Sequence, residues 1–281
     1  MVNFGIRLHD MRPGTLATRA RLAREQGFGC AHLALSKTVG PEENSVRNAA
    51  LTPGYASHLR KIFAGQDVDI AVLGCYKNLA CPDQKRLSAI QQDYLAHLRF
   101  AQQLGCSVVG TETGAPNLEY RYEPACHTEE ALQSFLRGLA PVLDAAESLG
   151  VLLAIEPVWN HIVWNPKVAR RVLDEAASPN LRIIFDPVNL LSLENYERRD
   201  EVIAEAMELL GEDIAVVHLK DFRVSEKGLE ATAAGTGLMD YHAIMRYLKA
   251  EKPYIQATLE NTVPDNAVQA REYLEKIYNE A

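Results

Sequence analysis

The sequence predicts a closed (β/α)8 barrel, a TIM barrel, and two observations support this fold class. Short apolar, β-branched segments alternate with longer segments of helical periodicity, which is typical of parallel strands joined by crossover helices. This alternation occurs eight times in 281 residues without a long linker rich in Ser, Gly or Pro. We therefore expect one barrel domain over residues 1–281, with a doubly wound open sheet as the alternative.

Eight segments are predicted as strands. Most are nearly continuous apolar runs because the strands of such a barrel are covered on both faces. The predicted strands are residues 4–8, 31–35, 69–73, 107–111, 151–155, 181–185, 214–217 and 254–259. The predicted crossover helices are rich in Ala, Leu, Glu, Gln or Arg and cover residues 15–26, 53–65, 83–104, 128–149, 166–177, 198–210, 241–250 and 265–278.

Charge and composition exclude several classes of partner. The chain has 37 acidic and 29 basic residues and a net charge of −8, whereas proteins that bind nucleic acid carry a positive surface. We therefore expect no nucleic acid partner and no binding to anionic membranes. No segment reaches 18 consecutive apolar residues, and charged residues stand where a signal peptide needs an apolar run. These observations predict a cytoplasmic protein.

Cysteine usage predicts neither disulfides nor a structural zinc site. The chain has five cysteines, an odd number, and no Cys-x-x-Cys pair. We expect all five to be buried free thiols.

The ends of the last four predicted strands carry side chains that bind metal ions. Glu156, Asp186, His218 and Glu260 each stand at or just after a strand end, where the side chains of a barrel converge on one pocket. Three carboxylates and one imidazole suit Mn²⁺, Mg²⁺ or Co²⁺ and can also bind Zn²⁺. In the alternative interpretation, each acid pairs with an arginine or with a helix N-terminus at the barrel rim. The four together favour a single divalent ion, Mn²⁺ being the expected one.

These residues and their order resemble the xylose isomerase-like superfamily, the sugar phosphate isomerase/epimerase group of TIM barrels. In that family one divalent metal is bound by Glu, Asp, His and Glu at the ends of strands five to eight, the pattern of Glu156, Asp186, His218 and Glu260. Two further runs are similar to the family and follow strand seven in the same order. They are His-x-Lys-Asp at 218–221 and Gly-Thr-Gly-x-x-Asp at 235–240.

A reaction follows from this ligand set. A divalent ion bound to a sugar's carbonyl oxygen stabilises the enediolate that forms when the adjacent C–H loses its proton. Strands five and eight lie on opposite sides of the site, so Glu156 and Glu260 are expected to act as the catalytic pair that removes and returns the proton. The resemblance implies the same roles for the two glutamates. Asp186 and His218 are then expected only to bind the metal.

Two positions depart from members of the same family. The ketohexose 3-epimerases carry a Glu six residues after the strand-five Glu and a His three residues after the strand-six Asp. This sequence has Ile162 and Asn189 there. Endonuclease IV, a DNA-repair relative, also needs that His within a histidine-rich cluster for three zinc ions. The departures disfavour both a free-ketohexose 3-epimerase and a DNA-repair enzyme.

Other polar residues near strand ends are candidates for contacts with a carbohydrate substrate. They are His9, Glu112, His161, Lys220 and Arg223. Trp159 and Trp164 flank His161 and are expected to line the pocket, to cover the top of the barrel or to form an oligomer interface.

Three functions remain open at this stage. The first is a metal-dependent sugar or sugar phosphate isomerase/epimerase. The second is a dehydratase of the same superfamily, similar to inosose or 3-dehydroshikimate dehydratase, in which the enolate expels a β-hydroxyl group. The third is a metal-free sugar-binding barrel. A homo-oligomer is possible for each of them.

Overall fold

Eight parallel strands form a closed barrel in the computed structural model, which describes residues 1–38 and 47–281. Each strand pairs with its neighbours in chain order, and the last strand pairs with the first. The barrel strands are β1 (Asn3–Arg7), β2 (Cys30–Leu33), β3 (Asp69–Gly74), β4 (Val108–Glu112), β5 (Leu152–Glu156), β6 (Leu181–Phe185), β7 (Ile214–Leu219) and β10 (Gln256–Leu259). The predicted (β/α)8 barrel is confirmed.

The helices surround this barrel. They are α1 (Leu16–Glu25), α2 (Leu35–Thr38), α3 (Pro53–Ala64), α4 (Gln84–Leu104), α5 (Glu129–Leu149), α6 (Pro166–Ala176), α7 (Arg199–Leu210), α8 (His242–Glu251) and α9 (Ala267–Glu280). Several begin at side chains that satisfy the free backbone N–H groups of the first turn. Asp83 accepts from the N–H of Arg86 before α4, and Thr128 accepts from the N–H of Ala131 before α5.

Most predicted boundaries lie within two residues of the observed ones, and three differences change the description of the fold. The second strand ends at Leu33, not at 35, because Leu35 begins the short helix α2. The last strand begins at Gln256, two residues later than predicted. An antiparallel hairpin that was not predicted follows β7 and consists of β8 (Asp221–Ser225) and β9 (Gly228–Thr232).

The core has two parts. A large cluster of apolar side chains fills the space between barrel and helices, and a smaller cluster contains one residue each from β3 to β7. The smaller cluster lies inside the barrel, because a Cβ atom on Gly110 of β4 would lie 2.7 Å from Ile184 of β6, which is not a neighbouring strand. The interior of the barrel is therefore packed with side chains, and a functional site is expected at one end of the barrel.

Two further sequence expectations can be compared with the structure. All five cysteines are buried and free, as predicted. Among residues 1–38 and 47–281, no helix has both the length and the apolar character needed to cross a membrane.

Candidate active site

The backbone fixes each of the four predicted metal ligands at the carboxyl end of a strand. Glu156 is the last residue of β5, and His218 lies near the end of β7. Asp186 follows β6, where its Oδ1 accepts hydrogen bonds from the N–H groups of Val188 and Asn189. This turn leaves Asp186 Oδ2 to face the cluster.

The last ligand, Glu260, follows β10. Its backbone N–H continues the sheet by donating to the carbonyl of Leu219 at 3.0 Å. The next residue, Asn261, adopts a left-handed conformation with φ +53° that turns the chain away from the sheet. A non-glycine residue in this region is uncommon and is often found at functional sites.

The structure brings the four side chains together. One potential ligand atom from each of Glu156, Asp186, His218 and Glu260 lies within 4.8 Å of all the others, and all four residues are buried. His218 stands between the glutamates, with Nδ1 at 3.3 Å from one oxygen of Glu156 and from one of Glu260. Three buried carboxylates this close are unfavourable unless cations compensate their charge.

Two cations from the protein compensate part of this charge. Lys220 is buried, and its Nζ lies 2.7 Å from Asp186 Oδ2 and 3.4 Å from Glu260 Oε2. Arg7, the last residue of β1, donates to Glu260 Oε2 at 2.9 Å and also binds Asp10. Lys220 was predicted to contact substrate, but in the structure it is paired with two of the proposed metal ligands.

The charges shift the ionisation of the cluster. Burial alone would lower the pKa of His218, but Glu260 and Glu156 raise it to about 9. Burial likewise would raise the pKa of Glu260, but His218 and Lys220 hold it well below its usual range. Burial raises the pKa of Asp186 in spite of the nearby Lys220. In spite of burial, His218 also lowers the pKa of Glu156, so both glutamates are carboxylates at neutral pH.

The cluster fits a divalent cation. Asp186 Oδ2 is buried and accepts no hydrogen bond of good geometry among the described residues, although Lys220 lies close to it. Oxygen atoms from three carboxylates and one imidazole nitrogen converge on one point, which is the donor set that hard or borderline divalent ions prefer.

Sequence reasoning missed the contribution of the first strands. His32 of β2 is buried, stacks on His218 with ring centroids 5.1 Å apart, and has Nδ1 3.6 Å from Glu260 Oε1. Its Nε2 is hydrogen-bonded to the hydroxyl of Tyr76 at 2.9 Å. Gly74 allows this contact, since a Cβ atom there would lie under 3.0 Å from both rings. The sequence does place His32 and Tyr76 near the ends of the second and third strands, and this position could have marked them as site residues.

Asn189 has a defined place in this site. Its side-chain N–H group donates to Glu156 Oε1 at 2.6 Å, so it holds one oxygen of the proposed catalytic base. Ile162, the other departure from the ketohexose 3-epimerases, is buried and offers no polar group.

Glu112 and His161 lie beside the cluster. Glu112 is the last residue of β4, next to β5, and His161 lies in the loop after β5. Glu112 Oε2 accepts from the hydroxyl of Tyr120 at 3.2 Å and lies 3.9 Å from His161 Nδ1. Burial and the negative charge of Glu156 raise the pKa of Glu112 to about 7. Burial lowers the pKa of His161 to about 4. Near neutral pH, His161 is therefore uncharged and Glu112 is partly protonated.

The two remaining candidates have different positions. His9 follows β1, its ring lies 6.2 Å from that of His32, and burial lowers its pKa to about 3. Arg223 is exposed on β8 and donates to the carbonyl of Thr236 at 2.7 Å. No hydrogen bond or ion pair among the described residues joins Arg223 to the other candidates, so its contact with substrate stays a prediction.

The turn at Gly235–Gly237 serves the protein's own backbone. Asp221 Oδ2 accepts from the N–H groups of Gly235 and Gly237 at 3.1 and 2.8 Å. Its Oδ1 accepts from the N–H groups of Phe222 and Met239. The run at 235–240 therefore anchors the segment that follows the hairpin, and it explains why an aspartate follows Lys220.

The barrel carries a cluster of potential metal ligands at the carboxyl end of its strands. A family model described as xylose isomerase-like TIM barrel matches residues 20–277. The chain therefore belongs to the xylose isomerase-like TIM barrel family. No protein of curated function matches its sequence.

Solved structures share this fold at low sequence identity. The chain is similar to 3-keto-D-glucoside 4-epimerase from E. coli, with a TM-score of 0.76 and 15% identity over 98% of this chain and 100% of that one. A D-tagatose 3-epimerase-like protein gives a TM-score of 0.75 and 18% identity over 99% of both chains. The IolI protein with a bound zinc atom gives 0.74 and 16%, also over 99% of both chains.

Proposed function

We propose that this protein is a divalent-metal-dependent sugar isomerase or epimerase that transfers a proton next to a carbonyl group. The observation that carries the proposal is the convergence of one ligand atom from each of Glu156, Asp186, His218 and Glu260 within 4.8 Å. Proteins of similar fold include a sugar epimerase, and another of them, IolI, has a bound zinc atom. Mn²⁺ is the ion we expect, with Mg²⁺, Co²⁺ and Zn²⁺ as alternatives.

The four ligands would hold the ion, and their roles differ. A bound divalent ion supplies positive charge that polarises the carbonyl and stabilises the charge left after proton removal. Asp186 and His218 are fixed by backbone hydrogen bonds and by ring stacking, so they only position it. We assign the proton transfer to Glu156 and Glu260 because they stand on opposite sides of the cluster, at the end of β5 and after β10.

The two glutamates are not equivalent. Glu156 Oε1 is held by Asn189 and His218, and none of the described residues donates a hydrogen bond to its Oε2. Glu260 Oε2 is held by Arg7 and Lys220, which stabilise the carboxylate against protonation. Glu156 is therefore the better acceptor for the first proton, and Glu260 completes the transfer on the other side.

A dehydratase is the second candidate because of Glu112. A carboxyl group with a pKa of about 7 is partly protonated at neutral pH and can donate a proton to a departing hydroxyl group. Proton removal by Glu156 would then lead to loss of water from the neighbouring carbon.

The test is to incubate the protein with Mn²⁺ and a panel of keto- and aldo-sugars in D₂O. We expect deuterium at the carbon next to the carbonyl, with an intact carbon skeleton. A new enone absorbance instead would support the dehydratase. As a control, the variant Glu272→Gln, which changes an exposed glutamate on α9, should incorporate deuterium as the unmodified protein does. If a metal-loaded protein gives neither product with any sugar, the proposal is wrong.

The cellular location and the oligomeric state of the protein remain predictions. A cytoplasmic location and assembly into a homo-oligomer both agree with the proposed metabolic reaction. Cell fractionation and analytical ultracentrifugation test them directly.

A further inference from the structure

Four aromatic rings lie side by side where the loops after β4 and β5 meet. We call Tyr122, His127, Trp159 and Trp164 the aromatic shelf. The rings of His127 and Trp164 stack with centroids 4.6 Å apart, and Tyr122 lies 5.5 Å from His127 and 5.6 Å from Trp159. Tyr122, Trp159 and Trp164 are 47%, 37% and 36% exposed, so ring surface is open to solvent.

The aromatic shelf is joined to the catalytic cluster by a short chain of hydrogen bonds. The backbone N–H of Trp159 donates to the carbonyl of Asn189 at 2.7 Å, and the side chain of Asn189 donates to Glu156. His127 Nε2 donates to the carbonyl of Trp159 at 3.0 Å, which fixes the loop from the other side. Two residues further along, His161 reaches Glu112. Hydrogen bonds thus join the shelf to the proposed sugar site.

The chemistry of this region is complementary to a sugar ring. Asn160 Oδ1 and His161 Nδ1 are buried polar atoms that have no hydrogen-bond partner among the described residues. A buried polar atom without a partner is costly, and a ligand hydroxyl group would relieve this cost. A pyranose presents apolar C–H faces to aromatic rings and hydroxyl groups at its edge. The shelf and these two atoms offer both kinds of contact.

The size of the surface favours a small ligand over a second protein chain. A fully exposed aromatic side chain contributes 150–250 Å², so three rings exposed by about two fifths offer at most about 300 Å². A stable protein interface buries about 800 Å² on each partner. A single sugar ring is of the right size for the shelf.

We propose that the aromatic shelf binds a second sugar ring, linked to the ring that reacts between Glu156 and Glu260, so that the substrate is a glycoside. This inference rests on the proposed function and specifies its substrate class. The second ring lies against Trp159 and accepts or donates hydrogen bonds at Asn160 and His161. Its binding energy positions the first ring for proton transfer.

Tryptophan fluorescence tests this inference directly, because Trp159 and Trp164 are the only two tryptophans in the chain. The Mn²⁺-loaded protein is titrated with cellobiose and maltose, whose reducing ring can open to a carbonyl form, and with glucose as the matched monosaccharide. We expect the best disaccharide to change the emission and to bind at least about tenfold more tightly than glucose, a difference of about 1.4 kcal/mol.

Variants separate the shelf from the rest of the site. Trp159→Leu is expected to raise the Kd of the best disaccharide about tenfold, measured by calorimetry, while the Kd of the monosaccharide stays within about twofold. The matched control is Tyr254→Leu, an 85% exposed aromatic residue that precedes the last strand at the opposite end of the barrel. This control should bind both sugars as the unmodified protein does.

Three results would overturn the inference. Equal affinity for disaccharides and monosaccharides, or an emission that no sugar changes, would show that the shelf binds no second ring. An emission that depends on protein concentration without sugar would show that a second copy of the chain covers it. Failure of the proposed function is distinguishable, because deuterium exchange would then be absent while the fluorescence response to disaccharides remained.

Discussion

At the carboxyl end of the barrel, the two halves differ in the charge of their side chains. The half formed by β5, β6, β7 and β10 carries the three buried carboxylates, His218 and Lys220. The half formed by β1 to β4 presents histidines and Glu112, whose pKa values burial shifts toward the neutral form. Arg7 and Asp10 form a charged pair in this half, and the guanidinium of Arg7 also reaches Glu260. One half is thus built to bind a cation, whereas the other is built to contact an uncharged molecule.

The largest expected effect comes from a matched pair of substitutions in the two halves. Glu156→Gln removes the proposed proton acceptor and a metal ligand, and we expect the rate of deuterium exchange into the sugar to fall by at least about 1000-fold. Glu112→Gln on the neighbouring strand keeps a neutral hydrogen-bonding group, so we expect a loss of at most about tenfold. Equal losses would mean that the assigned difference between the halves is wrong.

The next largest effect concerns the stability of the charged half. Lys220→Met leaves Asp186 and Glu260 without their buried cation, so we expect the free energy of unfolding to fall by about 3 kcal/mol in chelated protein. Added Mn²⁺ should recover part of this loss because it supplies positive charge at the same place. Urea unfolding with and without Mn²⁺ measures both quantities.

A surface lysine provides the control for Lys220. Lys167 is 72% exposed and pairs with Glu205 at 3.0 Å, so Lys167→Met should cost less than about 1 kcal/mol. If both substitutions cost the same, the buried carboxylates do not depend on the ammonium group of Lys220.

Metal binding should raise the free energy of unfolding by slightly less than the loss expected for Lys220→Met. Mn²⁺ at 100 times its Kd adds about 2.7 kcal/mol, which for a chain of this length raises Tm by about 5 °C. Thermal unfolding with Mn²⁺ and with a chelator measures the shift, and Asp186→Asn should abolish most of it. An identical Tm in both conditions would favour the metal-free sugar-binding barrel.

The same contrast explains what the sequence could and could not predict. Alternating segments predicted the barrel, and acidic or histidine residues at strand ends predicted the convergence of Glu156, Asp186, His218 and Glu260. His32 and Tyr76 were not predicted, because their contacts depend on the register between β1, β2 and β3. Sequence alone also could not show that Arg223 lies on a hairpin and donates to the carbonyl of Thr236, since only the fold brings those two residues together.

The smallest effect tests the neutral half through its pH dependence. In the folded protein, burial raises the pKa of Glu112 to about 7 from its ordinary value near 4.5. The folded state therefore retains a proton that the unfolded state loses, so the contribution of Glu112 to stability is largest below about pH 4.5 and is lost as the pH rises through about 7. Glu112 is 32% exposed, which reduces the loss to about 1 kcal/mol. Glu112→Gln should remove this part of the stability profile in chelated protein, whereas Glu272→Gln should leave it unchanged. Two superimposable profiles for Glu112→Gln and the unmodified protein would show that this carboxyl group is solvated, and the neutral character of this half would then rest on its histidines alone.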